Sequence, residues 1–311
     1  MRYLMSAALA AAATFALAPA HAEVPDQPSS VSATEGYSHF TVEVFGEGAD
    51  VVLIPGLSSP REVWLPTAEL LKSRYRIHLV ELRGFGGDEP GANAQGPVLE
   101  PMVAELHAYL EAHTRGGAAI IGHSMGGLTA LLLAERGGPS VAKAMVVDAL
   151  PFFSVLMDPQ ATAESVAPQA SMMRQTMIAG GAAFRPRPRD CSAIEDTDAP
   201  PVGNMTNTQA GLCKVTNWVA AADVSATANY MHDVMITDMR ARIASIAIPL
   251  TVVYGRDERL LPHARFDEIY RSNYAANPAT RFAPVDRSFH FVMLDQPEAT
   301  LAAIEDFLEA Q

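Results

Sequence analysis

Residues Ile120, Ile121, Gly122, His123, Ser124, Met125, Gly126 and Gly127 constrain this chain more than any other segment. They read as a buried apolar strand, then Gly-x-Ser-x-Gly, then a small-residue start to a helix. A nucleophile held above a sheet must sit on a very tight strand-to-helix turn. Such a turn forces the serine into an unfavourable backbone region, where neighbouring side chains would clash. Gly122 and Gly126 remove those side chains. Ser124 is thereby placed at a helix N-terminus, where backbone N–H groups favour developing negative charge. Five-residue patterns with two glycines also arise by chance, but the flanks here fit. Ala118 to Ile121 is a strand, and Leu128 to Arg136 is a helix stopped by Gly137, Gly138 and Pro139.

The first residues stand apart from any fold. Met1-Arg2 is a short basic start, Leu4 to Leu17 is apolar and alanine-rich, and Ala20-His21-Ala22 has the Ala-x-Ala form of a cleavage site. The run is too short to span a bilayer, so residues 1–22 are expected to be a removed secretory signal, with a periplasmic or secreted product beginning at Glu23. No other segment is apolar for long enough to cross a membrane. The net charge of −13 argues against nucleic acid and anionic membrane surfaces as partners. The two cysteines, Cys191 and Cys213, would meet an oxidising compartment after export. An even count there favours a bridge, which would close a loop of about 20 residues and add roughly 3 kcal/mol. No His, Cys, Asp and Glu cluster has metal-ligand spacing, so no metal is expected.

From residue 37 onward, strands and helices alternate. Phe40 to Phe45 alternates like an edge strand, and residues 23–36 before it are expected to be a flexible terminus. Asp50 to Ile54 is a continuous apolar run, as for a strand covered on both faces. Trp64 to Leu71 reads as a helix, Tyr75 to Glu81 as a strand, Val98 to His113 as a helix, and Lys143 to Val147 as a strand ending at Asp148. Residues 151 to about 240 then break the pattern. They hold no convincing buried strand, both cysteines and eight of the 14 methionines. Alternation resumes with strand Leu250 to Tyr254, helix Ala264 to Tyr274, strand Arg281 to Asp286 and a helix opened by Pro297. Such alternation implies a mostly parallel sheet with helices on both faces. The break is expected to be an insertion over the C-terminal sheet edge, where open α/β sheets bind ligands. Its methionines would give either a soft apolar lining or its own core.

A serine hydroxyl needs a base to remove its proton. His21 leaves with the signal, and His123 lies on the turn itself, so its expected role is structural. His39, His78, His107, His113, His232 and His263 lie on strands, on helices or in the insertion, where packing or the surface accounts for them. His290, in Ser288-Phe289-His290-Phe291 between the last strand and the last helix, reaches the same sheet edge as Ser124. The third member must be an acid that holds the imidazole tautomer. Asp257, just past strand Leu250 to Tyr254, ranks first, Glu258 second, and Asp148 third. Each could instead cap a helix. The oxyanion of acyl transfer needs preorganised N–H donors. Met125 supplies one, and Leu57, after the abrupt Pro55-Gly56 turn, is expected to supply the other.

At this point the chain resembles the α/β-hydrolase superfamily. The resemblance rests on Ile54-Pro55-Gly56-Leu57, Leu82-Arg83-Gly84-Phe85-Gly86-Gly87, Gly122 to Gly127, Gly255 to Pro262 and Phe289-His290-Phe291. It covers nearly all of residues 23–311 outside the insertion, and is far more specific for fold than for substrate. It implies an α/β-hydrolase core over 23–150 and 241–311, a largely helical lid over 151–240, Ser124 as nucleophile, His290 as base and Asp257 as acid. Two departures stand out. Pro55-Gly56 replaces the His-Gly of many members, and Asp257 lies two residues after Gly255, where many have the acid three after it; the second keeps Glu258 in play. A serine at the turn argues against the dehalogenase and epoxide hydrolase members, which resemble one another in using a carboxylate there. The implied activity is hydrolysis of a carboxylic ester through an acyl-enzyme, without a cofactor, on a small molecule with an apolar acyl or alcohol part. Amide or peptide-end, lactone and carbon–carbon bond hydrolysis and perhydrolysis share the constellation. A binding protein without turnover is the rival from another class.

Overall fold

The computed structural model describes residues 31–32 and 36–310, apart from Asp196 and residues 201–204. The expected signal over 1–22 and its cleavage after Ala22 lie outside the described residues. Eight strands form one sheet: β1 Val31–Ser32, β2 Phe40–Phe45, β3 Ala49–Ile54, β4 Tyr75–Leu82, β5 Ala118–His123, β6 Val141–Val147, β7 Leu250–Arg256 and β8 Arg281–Asp286. Their spatial order is β1-β2-β4-β3-β5-β6-β7-β8. β1 and β2 run antiparallel, β2 and β4 also do, and every later pairing is parallel. The terminus expected to be flexible therefore contributes Val31 and Ser32, which pair with Val44 and Glu43. The open edge of β2 offers unpaired N–H and C=O groups, and a short extended segment satisfies them.

Nine helices accompany the strands among the described residues: α1 Leu65–Leu71, α2 Leu99–His113, α3 Met125–Arg136, α4 Ala163–Gly180, α5 Gln209–Ala221, α6 Val224–Ile236, α7 His263–Asn273, α8 Val292–Asp295 and α9 Pro297–Glu309. The period-two alternation of the strands sorts their side chains to two cores. Val52, Ile54, Ile120, Val146 and Val252 face the side covered by α2, α3 and α7. Val51, Leu53, Ile121, Val147 and Val253 face the side covered by α1, α8 and α9. α3 is buried from Met125 through Ala134, which explains why its sequence is apolar all round. None of the described helices is long and apolar enough to cross a membrane.

Between β6 and β7 the chain runs through α4, α5 and α6 and, among the described residues, adds no strand to the sheet. Buried polar bonds anchor this insertion. The Asp233 carboxylate on α6 accepts from the N–H groups of Val98 (2.7 Å) and Leu99 (3.0 Å) at the start of α2. This places a negative charge on donors that a helix N-terminus leaves unpaired. The Tyr230 hydroxyl donates to Asn93 at 2.9 Å, and the Asp223 N–H donates to the Gly84 carbonyl at 2.6 Å. Cys191 and Cys213 form the disulfide the sequence suggested, with Cα atoms 5.9 Å apart, tying the loop before α5 to α5 itself. The methionines divide. Met235 and Met239 are buried, whereas Met157, Met172, Met173 and Met205 are exposed.

Candidate active site

The four non-glycine residues with positive φ among the described residues are Ser58, Ser124, Asp148 and Arg287. All follow the C-terminal ends of β3, β5, β6 or β8 within a few residues, along one sheet edge. Backbone strain of this kind persists only where the surroundings over-determine it, and it clusters at functional sites. Ser124 has φ 54° and ψ −119°. Its N–H donates to the Val147 carbonyl (2.8 Å), and its carbonyl accepts from Gly127 and Leu128. A Cβ on Gly122 would fall 1.9 Å from the Gly126 carbonyl oxygen, and one on Gly126 would fall 2.4 Å from that of Ile54. Backbone cannot yield as a flexible side chain does. Gly122→Ala is accordingly expected to destabilise the fold by about 3 kcal/mol. Chemical denaturation checks this, and a loss below about 1 kcal/mol would contradict the packing argument.

His290 lies in the loop after β8, and its Nδ1 donates to Asp148 Oδ2 at 2.6 Å. The other Asp148 oxygen, Oδ1, accepts from the Tyr270 hydroxyl (2.8 Å) and from the Gly255 N–H (2.9 Å). Three donors from α7, β7 and the β8 loop thus converge on a carboxylate at the end of β6. Tyr270 is itself held protonated: burial, then the Asp148 charge, pushes its hydroxyl well above the ordinary tyrosine range. With Nδ1 protonated toward the carboxylate, His290 Nε2 is left as the basic nitrogen.

The expectation that Asp257 holds His290 is not met. Asp257 Oδ1 accepts from Arg259 Nε (2.9 Å) and from the Arg259 N–H (2.9 Å), and its Oδ2 accepts from Arg259 Nη2 (2.8 Å). These hydrogen bonds from Arg259 hold its carboxyl below the usual carboxylate range. The Arg259 guanidinium also lies 5.1 Å from the Phe289 ring centroid. Asp257 is a turn-forming acid neutralised two residues along its own chain, and Glu258 is exposed. The partner of His290 is Asp148, which the strand pattern had ranked last.

Leu57 lies in the loop after β3, and Met125 opens α3 directly after Ser124. Neither N–H donates to a backbone carbonyl in the turns and caps among the described residues. Ser58, beside Leu57, holds Thr227 of α6 through a hydroxyl pair at 2.9 Å, so the insertion braces this loop. The Ser124 hydroxyl has no side-chain capping bond. No hydrogen bond joins the Ser124 hydroxyl to His290 among the described residues, and bonds between a nucleophile and its base are often long until substrate arrives. Two surface hollows of about 330 and 600 Å³ include none of Ser124, His290 and Asp148 in their walls.

A buried acid not foreseen in the sequence supports the His290 loop. Asp295 Oδ2 accepts from the Phe289 N–H (2.7 Å) and Oδ1 from the Asn207 N–H of the insertion (3.0 Å). Burial outweighs these bonds and pushes its carboxyl from 3.8 up to about 6. The folded protein therefore holds a proton that the unfolded chain releases between those values. The stabilisation from this proton is full below 3.8 and is lost as pH rises through 6. Relative to Asp295→Asn, wild type is expected to lose up to about 3 kcal/mol across that window. Denaturation of both proteins at several pH values checks this; a pH-independent difference would contradict it.

The comparisons with known proteins agree with this architecture. A pimeloyl-[acyl-carrier protein] methyl ester esterase of Aeromonas hydrophila is 27% identical over 274 residues, covering 86% of this chain and 98% of that one. One from Aromatoleum aromaticum is 28% identical over 265 residues, covering 83% and 97%. The enol-lactonase from Burkholderia xenovorans superposes with a TM-score of 0.64 at 19% identity, over 90% of this chain and 100% of that one. A thermophilic esterase from Thermogutta terrifontis does so with 0.60 at 20% identity, over 90% and 98%. At such identities the structural likeness speaks for the fold alone. The sequence profile described as the alpha/beta hydrolase family matches residues 51–304, and the chain is a hydrolase belonging to that family.

Proposed function

We propose that the protein is an exported serine hydrolase that cleaves a carboxylic ester of a small molecule through an acyl-enzyme. The observation that carries the reading is the 2.6 Å bond between His290 and Asp148, made at the sheet edge where Ser124 is held in a strained turn. His290 Nε2 takes the Ser124 proton as the oxygen attacks the ester carbonyl. Asp148 stabilises the imidazolium that results. The N–H groups of Leu57 and Met125 hold the oxyanion, which collapses to acyl-enzyme as His290 gives its proton to the leaving alcohol. Water then enters by the same route and His290 again acts as base. The core comprises residues 23–150 and 241–311, with 151–240 as a lid carrying the specificity. Residues 1–22 direct export, and the Cys191–Cys213 disulfide suits an oxidising compartment.

Sequence relatives whose names specify methyl ester cleavage favour an ester over an amide. The test is a panel of p-nitrophenyl and methyl esters of rising acyl length, run beside matched amides and lactones, with Ser124→Ala as control. Esters are expected to give the highest kcat/KM, with turnover by the variant lower by about 10⁵-fold or more. Faster turnover of amides or lactones would overturn the ester assignment. N-terminal sequencing of the exported protein is expected to begin at Glu23.

A further inference from the structure

Beside the proposed machinery lies a side chain that the mechanism does not use. His123 is the last residue of β5, between Gly122 and Ser124, and is fully buried. Its Nε2 donates to the main-chain carbonyl of His290 at 3.0 Å. Its ring lies 4.6 Å from the His290 ring and 4.7 Å from that of Phe291. Its Nδ1 has no hydrogen-bond partner among the described residues. That nitrogen faces the oxyanion loop: a Cβ on Gly56 would fall 3.0 Å from it and 3.1 Å from the Ser124 Cβ. One imidazole thus touches the loop of the base, the loop of the oxyanion donors and, through the peptide bond, the nucleophile.

Resting on the serine-hydrolase reading, we propose that His123 is a positioning residue whose Nε2–H fixes the His290 backbone, setting the base at its working distance from Ser124. A carbonyl facing Nε2 requires the proton there, so the tautomer is fixed and Nδ1 is bare. Nε2 is occupied by this bond and is not free to serve as an alternative base. Burial, then the neighbouring His290, lowers the affinity of His123 for a second proton. His123 consequently stays neutral when His290 becomes a cation, and no like charge opposes the transferred proton. An apolar residue of similar size would fill the space but release the carbonyl. A glutamine amide reaches about as far as Nε2, whereas an asparagine amide stops near Nδ1.

The experiment compares His123→Gln, His123→Leu and His123→Asn with wild type on one p-nitrophenyl ester. It reads kcat, KM, Tm and the rate of fluorophosphonate labelling. His123→Leu and His123→Asn are expected to lose about 10- to 100-fold in kcat and in labelling rate, with KM within about threefold, because small misplacements of a reacting group are this costly. His123→Gln is expected to stay within about threefold of wild type in kcat. A folded His123→Leu with wild-type kcat would overturn the proposal. Should His123→Leu fail to fold, the Gln and Asn pair decides, and equal kcat in those two overturns it. Absence of labelling at Ser124 in wild type would refute the hydrolase reading itself, a separate outcome.

Discussion

Ser124→Ala is expected to lower kcat by about 10⁵-fold or more while leaving the Tm unchanged within about 2 °C. The substitution removes one oxygen from a turn whose geometry is set by backbone bonds: Ser124 N–H to Val147, and the Ser124 carbonyl to Gly127 and Leu128. Alanine keeps all three. The φ of 54° costs an alanine about what it costs a serine, so the elbow stays folded. Chemistry through an acyl-enzyme, by contrast, has no route without the hydroxyl. The residual rate should be that of oxyanion binding and substrate orientation alone. Steady-state turnover of a p-nitrophenyl ester, with a parallel thermal melt, checks both halves. Turnover by the variant within about tenfold of wild type would remove Ser124 from the chemistry.

Asp148→Asn is expected to lower kcat by about 10⁴-fold, and Asp257→Asn to leave it within about threefold. The sign of the first follows from hydrogen-bond polarity. Oδ1 of Asp148 accepts from Tyr270 and Gly255, so an asparagine keeps its carbonyl oxygen there. Its amide nitrogen then faces His290 Nδ1 as a donor. His290 must answer with a lone pair at Nδ1, which moves its proton to Nε2, the nitrogen that has to receive the Ser124 proton. The base is blocked in place. Asp257→Asn instead loosens a pair with Arg259, whose side chain is 36% exposed, and screening makes such a loss small. Matched kcat measurements separate the two carboxylates.

Much of the fold is legible from local pattern. β5, the turn at Ser124 and the start of α3 follow from two glycines that cannot carry a Cβ, and the alternation of Val51 to Ile54 between two cores follows from strand periodicity. His290 is legible too, because a histidine after the last strand of a parallel sheet can only return to its C-terminal edge. The acid was misread for a reason that local pattern cannot show. Asp257 has its cation two residues ahead at Arg259, while the donors on Asp148 come from positions 255, 270 and 290, more than 100 residues away. The available sign was Asp148 itself, a charge closing the buried run of β6. Asp295 was missed because its partners are backbone N–H groups, that of Phe289 six residues earlier and that of Asn207 in the insertion, and backbone donors leave no trace in side-chain identity.

The most direct test of the triad is the rate and site of fluorophosphonate labelling in wild type, Asp148→Asn and Asp257→Asn, read by peptide mass spectrometry. A single adduct on the peptide containing Ser124, slowed severely in Asp148→Asn and unaltered in Asp257→Asn, is the predicted result. An adduct on another residue, or a reaction slowed by Asp257→Asn and indifferent to Asp148→Asn, would contradict it.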